Sequence, residues 1–161
     1  MRLRHRPEDL FDLVGDVRRY PDFIGPITAM RVSNETSDGE VERLRAEARI
    51  RFRFVRERFV TDVTLDRAKR RIEVDFVEGP FDVLGNCWRF HALSDGSTLV
   101  DFYIRYRFSN RLLQMLLDTN RQRAVRYLVN AFAEEAAKRY ETVGEPELDL
   151  SAEAPMRASR A

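Results

Sequence analysis

Residues 41–54 read VERLRAEARIRFRF, and apolar side chains recur there at every second position. The even positions from Ala46 to Phe54 are apolar, whereas the odd positions from Arg45 to Arg53 are charged. A period of two is typical of a β-strand with one dry and one wet face. We therefore predict a strand over residues 41–54 whose apolar face lies on the core.

The same alternation extends to both sides of this strand. It predicts further strands over residues 27–33, 59–65, 72–76, 88–92 and 100–108. Turn residues predict a loop at 34–39 (NETSDG), a tight turn near Val55 and Arg56, and a hairpin turn at Asp95-Gly96. Short turns join strands that are antiparallel, so we expect six sequential antiparallel strands, with a strand stub at residues 1–5.

Helical periods occupy the two ends of the chain. Pro7 begins a helix that Gly15 ends, and residues 16–23 form a second short helix or turn. After a cap at Ser109 or Asn110, one long helix is predicted over residues 111–141, with a broad apolar face. The curved sheet must wrap this helix, because no other element is long enough to receive its face.

Composition indicates a single domain. The chain has 161 residues, of which 43% are hydrophobic, and a formal net charge of +1. We assign residues 1–143 to one domain and residues 144–161 to a flexible tail. The small net charge argues against a general nucleic-acid binder. We expect Cys87 to be a small buried hydrophobe, and expect a soluble cytoplasmic protein because no apolar run of spanning length occurs.

Five motifs occur in an order that resembles a known family. They are LFDLVGDVRRYPDF at residues 10–23, Glu57-Arg58-Phe59, Gly79-Pro80-Phe81, Trp88-Arg89-Phe90 and the final strand with its helix. This order resembles the coenzyme Q-binding proteins of the START-like polyketide cyclase/dehydrase superfamily, which are related to the ribosome-association toxin A proteins. The resemblance implies an α+β helix-grip fold, a curved antiparallel sheet around a long C-terminal helix, with an elongated cavity between them.

Few residues offer catalytic chemistry. His5 and His91 are far apart in the sequence, and Cys87 is the single cysteine, so no metal-ligand spacing is present. No nucleophile is paired with a base, and no glycine-rich phosphate loop appears. We therefore predict no catalytic residue, no metal and no cofactor other than a bound ligand.

The apolar face of the sheet is either filled by side chains of the core or leaves a cavity, and the resemblance favours the cavity. The predicted ligand-binding residues are Phe52, Phe54, Phe76, Phe81, Trp88, Phe90, Phe102, Tyr106, Leu116, Asn120 and Tyr127. Trp88 either fills the centre of the core or forms a wall of the ligand cavity. Asn120 interrupts the apolar face of the final helix, and either donates to a ligand carbonyl or bonds a neighbouring backbone carbonyl. The ligand that the resemblance implies is ubiquinone or a similar isoprenoid lipid.

Arginines crowd the hairpin between residues 45 and 58, and Arg49, Arg51 and Arg53 are the predicted docking residues. They contact anionic lipid at the inner membrane, contact RNA of a ribosomal subunit, or pair with nearby acids on a solvated face. Three functions follow: non-enzymatic quinone binding that supports respiration or quinone biosynthesis, toxin-like binding of a ribosomal subunit, or a polyketide aromatase/cyclase. The missing acid–base pair weighs against the enzyme, and no DNA partner is expected.

Overall fold

The computed structural model describes residues 1–153 and contains one seven-stranded antiparallel sheet. The strands are β1 (Arg2–Leu3), β2 (Ile27–Asp38), β3 (Val41–Phe52), β4 (Val55–Asp66), β5 (Arg71–Glu78), β6 (Phe81–Ala92) and β7 (Thr98–Phe108). Their order across the sheet is β1-β7-β6-β5-β4-β3-β2. The six sequential strands and the short first strand are therefore confirmed.

Two of the predicted turns lie elsewhere. Asn34 adopts a φ of 53° at a register shift between Ser33 and Thr36, so β2 continues through the predicted loop as a bulged strand. The turn between β3 and β4 lies at Arg53 and Phe54, earlier in the chain than predicted, because Phe52 pairs directly with Val55. A positive φ of 55° at Arg53 suits the first position of such a two-residue turn.

The helices pack on the concave face of the sheet. They are α1 (Pro7–Gly15), a 3₁₀ turn (Val17–Arg19), α2 (Tyr20–Phe23), α3 (Arg111–Asp118) and α4 (Arg121–Arg139). The predicted extent of α1 is confirmed, with its proline in the first turn.

The prediction of one uninterrupted final helix is wrong. Thr119 and Asn120 separate α3 from α4. The Thr119 hydroxyl donates to the Met115 carbonyl at 2.9 Å, and the Asn120 amide donates to the Leu116 carbonyl at 3.0 Å. Side chains of this kind offer the backbone an alternative to the helical pattern, and the helix ends.

The core lies where α1 and the second half of α4 cover the sheet. Its buried members are Leu10, Phe11, Leu13, Val14, Val17, Ile24, Ala46, Val63, Leu65, Ile72, Trp88, Phe90, Val100, Phe132 and Ala136. Phe11 of α1 meets Phe90 edge to face, with ring centroids 6.1 Å apart. The opposite end of the concave face carries few of these residues, and this asymmetry locates the candidate site.

The first part of the predicted tail is attached to the sheet. Val143, just before the tail, donates its backbone N–H to the Arg4 carbonyl at 2.8 Å, and the N–H of Glu145 donates to the Asp95 carboxylate at 2.9 Å. The Arg2 guanidinium reaches both Asp95 and the Glu145 carbonyl. Residues 154–161, the rest of the predicted tail, lie outside the described residues.

Candidate functional site

The end of the concave face away from α1 carries an apolar surface, which we call the recess. Its side chains are only partly buried although they lie on the face that the helices cover. We define the recess by Phe59, Phe76, Phe81, Leu84, Phe102, Ile104, Tyr106 and Phe108. The junction of α3 and α4 lies over it: Leu113 is buried, and the Arg121 guanidinium lies 5.7 Å from the centre of the Tyr106 ring.

Phe81 is the centre of the aromatic packing in the recess. Its ring stacks on Phe108 at 4.5 Å and meets Phe59 and Phe76 edge to face at 5.6 and 6.0 Å. Gly79 makes this packing possible, because a Cβ there would lie 2.6 Å from the Cβ of Phe59. The Gly79-Pro80-Phe81 motif thus contains a tight turn, which places Phe81 against three other rings.

Trp88 separates the recess from the core. Its indole is 6% exposed and lies 4.2 Å from the Phe102 ring and 5.1 Å from the Phe132 ring of α4. Phe90, two residues further along β6, is 3% exposed and packs under α1. Its assignment to the ligand site is therefore corrected: α1 covers this ring, and Trp88 stands between it and the recess.

Four other predicted ligand residues lie at the rim of the recess or in the final helices. Phe52 ends β3 and is 49% exposed, and Phe54 lies in the hairpin turn and is 68% exposed. Leu116 is half-buried in α3, and Tyr127 of α4 is about half exposed, with its hydroxyl near Gly25.

Asn120 does not interrupt a buried helix face. It is exposed between α3 and α4, and its amide bonds the Leu116 carbonyl. Of the two alternatives for Asn120, the structure shows the hydrogen bond to a neighbouring backbone carbonyl, at the point where the helix ends.

Two polar atoms in the recess have no hydrogen-bond partner within residues 1–153: Oδ1 of Asn86 and the hydroxyl of Tyr106. Both atoms are buried. Asn86 pairs with Ile104 and Leu84 pairs with Tyr106, so Asn86 and Tyr106 are diagonal neighbours on the concave face. A buried polar atom without a partner is costly, and native proteins contain few of them.

Sequence reasoning missed Asn86, although a signal was present. It holds an inward position of β6 between Leu84 and Trp88, where the pattern calls for an apolar residue. Burial raises the pKa of the Tyr106 phenol, while the nearby Arg121 charge opposes this rise. The phenol is therefore protonated at neutral pH and is able to donate a hydrogen bond.

The arginines of the hairpin formed by β3 and β4 divide into a paired and an unpaired group. Arg45 forms a two-pronged pair with Asp62, and Arg58 bonds both Glu47 and Glu78. Hydrogen bonds from these arginines lower the pKa of the Asp62 and Glu47 carboxyls. The prediction of a face paired with acids is confirmed for this part of the hairpin.

Nearer the tip the positive charges lack such partners. Arg51 and Arg56 lie directly opposite each other, and neither has an acidic partner among residues 1–153. Arg49 lies 3.9 Å from Glu47, whose stronger contact is with Arg58 at 3.0 Å. Arg53 is in the turn, not on the strand, and its guanidinium lies 5.4 Å from the centre of the Phe52 ring.

The convex face of the sheet carries a second concavity, a groove of about 560 Å³ around Gly85. Its charged side chains are balanced in number: Arg71, Arg89 and Arg105 with Glu73, Asp75 and Asp101. Asp101 is bonded to His91 at 3.1 Å. Cys87 lines this groove and is half-buried, so its predicted place in the core is wrong; the odd positions of β6 face outward. A balanced charge set gives the groove no field that selects an anionic ligand.

Metal binding and membrane spanning have no support in the described part of the chain. Within residues 1–153, no three His, Cys, Asp or Glu side chains are grouped as metal ligands. The described helices include none that is long and apolar enough to cross a membrane.

Comparison with known proteins agrees with this architecture. Residues 3–133 match the family described as "Polyketide cyclase / dehydrase and lipid transport". The fold is START-like, and the chain belongs to this family. The family resemblance of the sequence motifs is thereby confirmed.

Two curated relatives and one solved structure show where in the family the chain is placed. It is 30% identical over 132 residues to the ribosome association toxin RatA of Pseudomonas aeruginosa, covering 81% of this chain and 88% of that protein. It is 28% identical over 156 residues to the mitochondrial coenzyme Q-binding protein COQ10 homolog B of Xenopus laevis, covering 95% of this chain and 61% of that protein. The solution structure of the 18 kDa protein CC1736 from Caulobacter crescentus superposes with a TM-score of 0.72 at 40% identity, covering 86% and 93% of the two chains.

Proposed function

We propose that the protein binds ubiquinone or a similar isoprenoid lipid in the apolar recess and supports respiration or quinone biosynthesis without catalysing a reaction. One observation carries this proposal: two buried polar atoms, on Asn86 and Tyr106, lie unpaired within an aromatic surface that the helices leave partly uncovered. Ligand sites commonly combine a mainly apolar wall with a few polar groups that fix orientation. The likeness to a coenzyme Q-binding protein supports the choice of ligand class.

Binding in such a recess needs no reactive group. Removing apolar surface from water contributes roughly 25 cal/mol per Å², so a polyisoprenoid tail supplies the affinity by its area. The defining residues of the recess are aromatic or aliphatic apart from the Tyr106 phenol, and they include neither a carboxylate nor an imidazole. A polyketide aromatase/cyclase reaction finds no acid–base pair among them, which supports the non-enzymatic function.

The rim of the recess suits contact with a membrane from which a lipid enters. Phe54 at the hairpin turn and Leu112 and Met115 of α3 are 68%, 59% and 67% exposed. The unpaired arginines of the hairpin tip adjoin Phe54, and cationic side chains beside exposed apolar ones are typical of surfaces that bind anionic membranes. We propose peripheral contact with the inner membrane through this rim.

Organic extraction of the purified protein followed by mass spectrometry tests the ligand. We expect an isoprenoid quinone in the extract of the wild-type protein and its loss from an Ile104→Trp variant, in which the indole fills the recess. Tyr103→Trp is the matched control, because Tyr103 precedes Ile104 on β7 but is exposed on the convex face. A wild-type extract without any isoprenoid lipid would contradict the proposal.

A second candidate function is association with a ribosomal subunit. The likeness to the ribosome association toxin favours it, together with the unpaired Arg51 and Arg56 that lie opposite each other at the hairpin tip. Co-sedimentation of the protein with isolated small and large subunits in sucrose gradients tests this candidate. Binding to one subunit that Arg51→Gln and Arg56→Gln abolish would favour it over the quinone carrier.

A further inference from the structure

We infer that the recess binds the ring of its ligand in the reduced, hydroxylated form, as a hydroquinone that donates a hydrogen bond to Oδ1 of Asn86 and accepts one from the Tyr106 hydroxyl. The inference rests on the proposed function and adds the redox state of the ligand. It starts from the kind of hydrogen-bonding atom that each side chain leaves unpaired.

The unpaired atom of Asn86 is an acceptor. Oδ1 is enclosed, and no donor reaches it from residues 1–153. An amide oxygen carries lone pairs and no proton, so only a donor satisfies it. A quinone ring offers carbonyl oxygens, which are acceptors, and its approach would set lone pairs against lone pairs. A hydroquinone O–H group supplies the missing donor.

Tyr106 complements Asn86 because its hydroxyl both donates and accepts. It is likewise buried and unpaired, and burial keeps the phenol protonated. The hydroxyl therefore donates to a ring oxygen of either redox form. Tyr106 contributes affinity to both forms, whereas Asn86 discriminates between them.

The two side chains are placed to hold one ring. The register of β6 and β7 makes them diagonal neighbours on the same face, a spacing of about 7–8 Å between backbone positions that side chains of this length bridge toward each other. Phe102 and Ile104 lie on the same face of β7, and the Phe102 ring lies 4.2 Å from the Trp88 ring at an interplanar angle of 34°. Both polar atoms are enclosed in the structure, so a ring enters between them as neighbouring side chains of the recess move aside. The bound ring then lies against an apolar wall, with Trp88 beyond it.

The orientation of the Asn86 amide decides the direction of the preference. With Oδ1 enclosed, as in the structure, the hydroquinone binds more tightly. With the amide rotated by half a turn, its NH₂ group and the Tyr106 hydroxyl would both donate, and the quinone would bind more tightly. The two redox forms of one compound therefore separate the alternatives directly.

Anaerobic calorimetry with a short-chain ubiquinone analogue and its chemically reduced hydroquinone provides the test. We expect the full-length wild-type protein to bind the hydroquinone about tenfold more tightly, the factor that corresponds to one unsatisfied buried acceptor. Asn86→Leu should remove this preference, and Tyr106→Phe should weaken both forms while leaving the ratio in place. Cys87→Ala is the matched control, since Cys87 is the next residue of β6 but faces the convex groove.

The wild-type ratio is decisive even where a variant does not fold. Equal affinities, or tighter binding of the quinone, overturn the inference and leave the proposed function standing. An unchanged preference in a folded Asn86→Leu protein also overturns it. Binding of neither form contradicts the proposed function itself, so the two failures are distinguishable.

Discussion

The indole of Trp88 meets the Phe132 ring edge to face, with centroids 5.1 Å apart and planes inclined by 65°. This contact joins β6 to α4, and the Phe102 ring lies 4.2 Å from the same indole. Trp88 is thus a core residue, and its position between the core and the recess makes it the proposed inner wall as well. The two alternatives left open by the sequence are compatible in one side chain.

Trp88→Ala should lower the free energy of unfolding by about 3–5 kcal/mol, as large-to-small changes at buried aromatic residues do. It should also weaken quinone binding, because the cavity it leaves extends the recess into the core. Thermal melting and calorimetric titration measure the two effects. Phe90→Ala is the matched control, with a similar loss of stability and unchanged ligand affinity; equal affinity of both variants and the parent would place Trp88 in the core alone.

Asp95 should make stability depend on acid pH. Burial opposes its ionisation, but hydrogen bonds from the Ser97 hydroxyl and backbone, from the Glu145 backbone and from Arg2 outweigh burial and hold its pKa far below the usual range. Because the pKa of this carboxyl is lower in the folded chain than in the unfolded chain, where it is near 3.9, the carboxylate stabilises the fold above that pH. The stabilisation is lost as the pH falls from there toward the pKa of the folded state.

Asp95→Asn should therefore destabilise the protein at pH 7 by about 3 kcal/mol, since it leaves the guanidinium of Arg2 without its buried partner. The difference from the parent should shrink as the pH falls below about 4, the unfolded value of the carboxyl. Urea unfolding at neutral and at acid pH measures it. A difference that stays constant across this range would show that the Asp95 charge does not stabilise the fold.

Removing the unpaired charge of the hairpin tip should affect docking and not folding. Like charges opposite each other on a sheet are destabilising by a few tenths of a kcal/mol, so Arg49→Gln, Arg51→Gln and Arg56→Gln together should leave stability equal or slightly higher. Sedimentation with anionic vesicles should fall, because each arginine contributes about 1 kcal/mol of attraction to such a surface. The same change at Arg18, Arg67 and Arg70, far from the tip, is the control.

The vesicle experiment also separates the two candidate partners. Vesicle binding that stays unchanged in the hairpin variant, while ribosomal-subunit binding disappears, would favour the ribosomal function. A loss of vesicle binding alone supports the membrane rim.

Which side chains of each strand face the core was predictable, because each strand has one apolar face and one solvated face. The alternation from Ala46 to Phe52 is by itself sufficient to identify the core side of β3, where Ala46 and Ala48 are buried. Backbone conformations set by one or two residues were not predictable in this way. Arg53 and Asn34 adopt positive φ angles, which place the hairpin turn earlier than the pattern indicates and make a bulged strand of the predicted loop.

The candidate site was predictable as a surface and not as a set of polar contacts. The aromatic residues of β5 to β7 followed from parity, whereas the roles of Asn86 and Asn120 do not follow from the pattern of their own element. Asn120 interrupts an apolar period because the helix ends there, and Asn86 interrupts one inside an intact strand. Only three-dimensional hydrogen bonding distinguishes an asparagine that ends a helix from one that is left unpaired.

Asn120→Leu should consequently have little effect on ligand binding. The side chain is exposed and its single hydrogen bond goes to the Leu116 carbonyl, so we expect a change in stability within about 0.5 kcal/mol and an unchanged affinity for quinone. Calorimetric titration of the variant checks this, with Asn86→Leu beside it as the change that should matter. A tenfold loss of affinity in Asn120→Leu, roughly 1.4 kcal/mol, would return this residue to the ligand site.

Gly79→Ala tests whether the tight turn holds the recess in shape. Gly79 has a φ of 144°, and an added Cβ would lie 2.6 Å from the Phe59 Cβ and 3.0 Å from its Cα, which is backbone and cannot turn away. The strained conformation alone costs about 1–3 kcal/mol, and the clash should also separate Phe59 from Phe81, whose rings are 5.6 Å apart. We expect lower stability together with weaker quinone binding. Gly96→Ala is the control, because Gly96 also has a positive φ, 84°, but a Cβ there meets nothing within 4 Å. It should lose stability through backbone strain and keep its ligand affinity; an equal loss of affinity in both variants would mean that the Gly79 turn does not shape the recess.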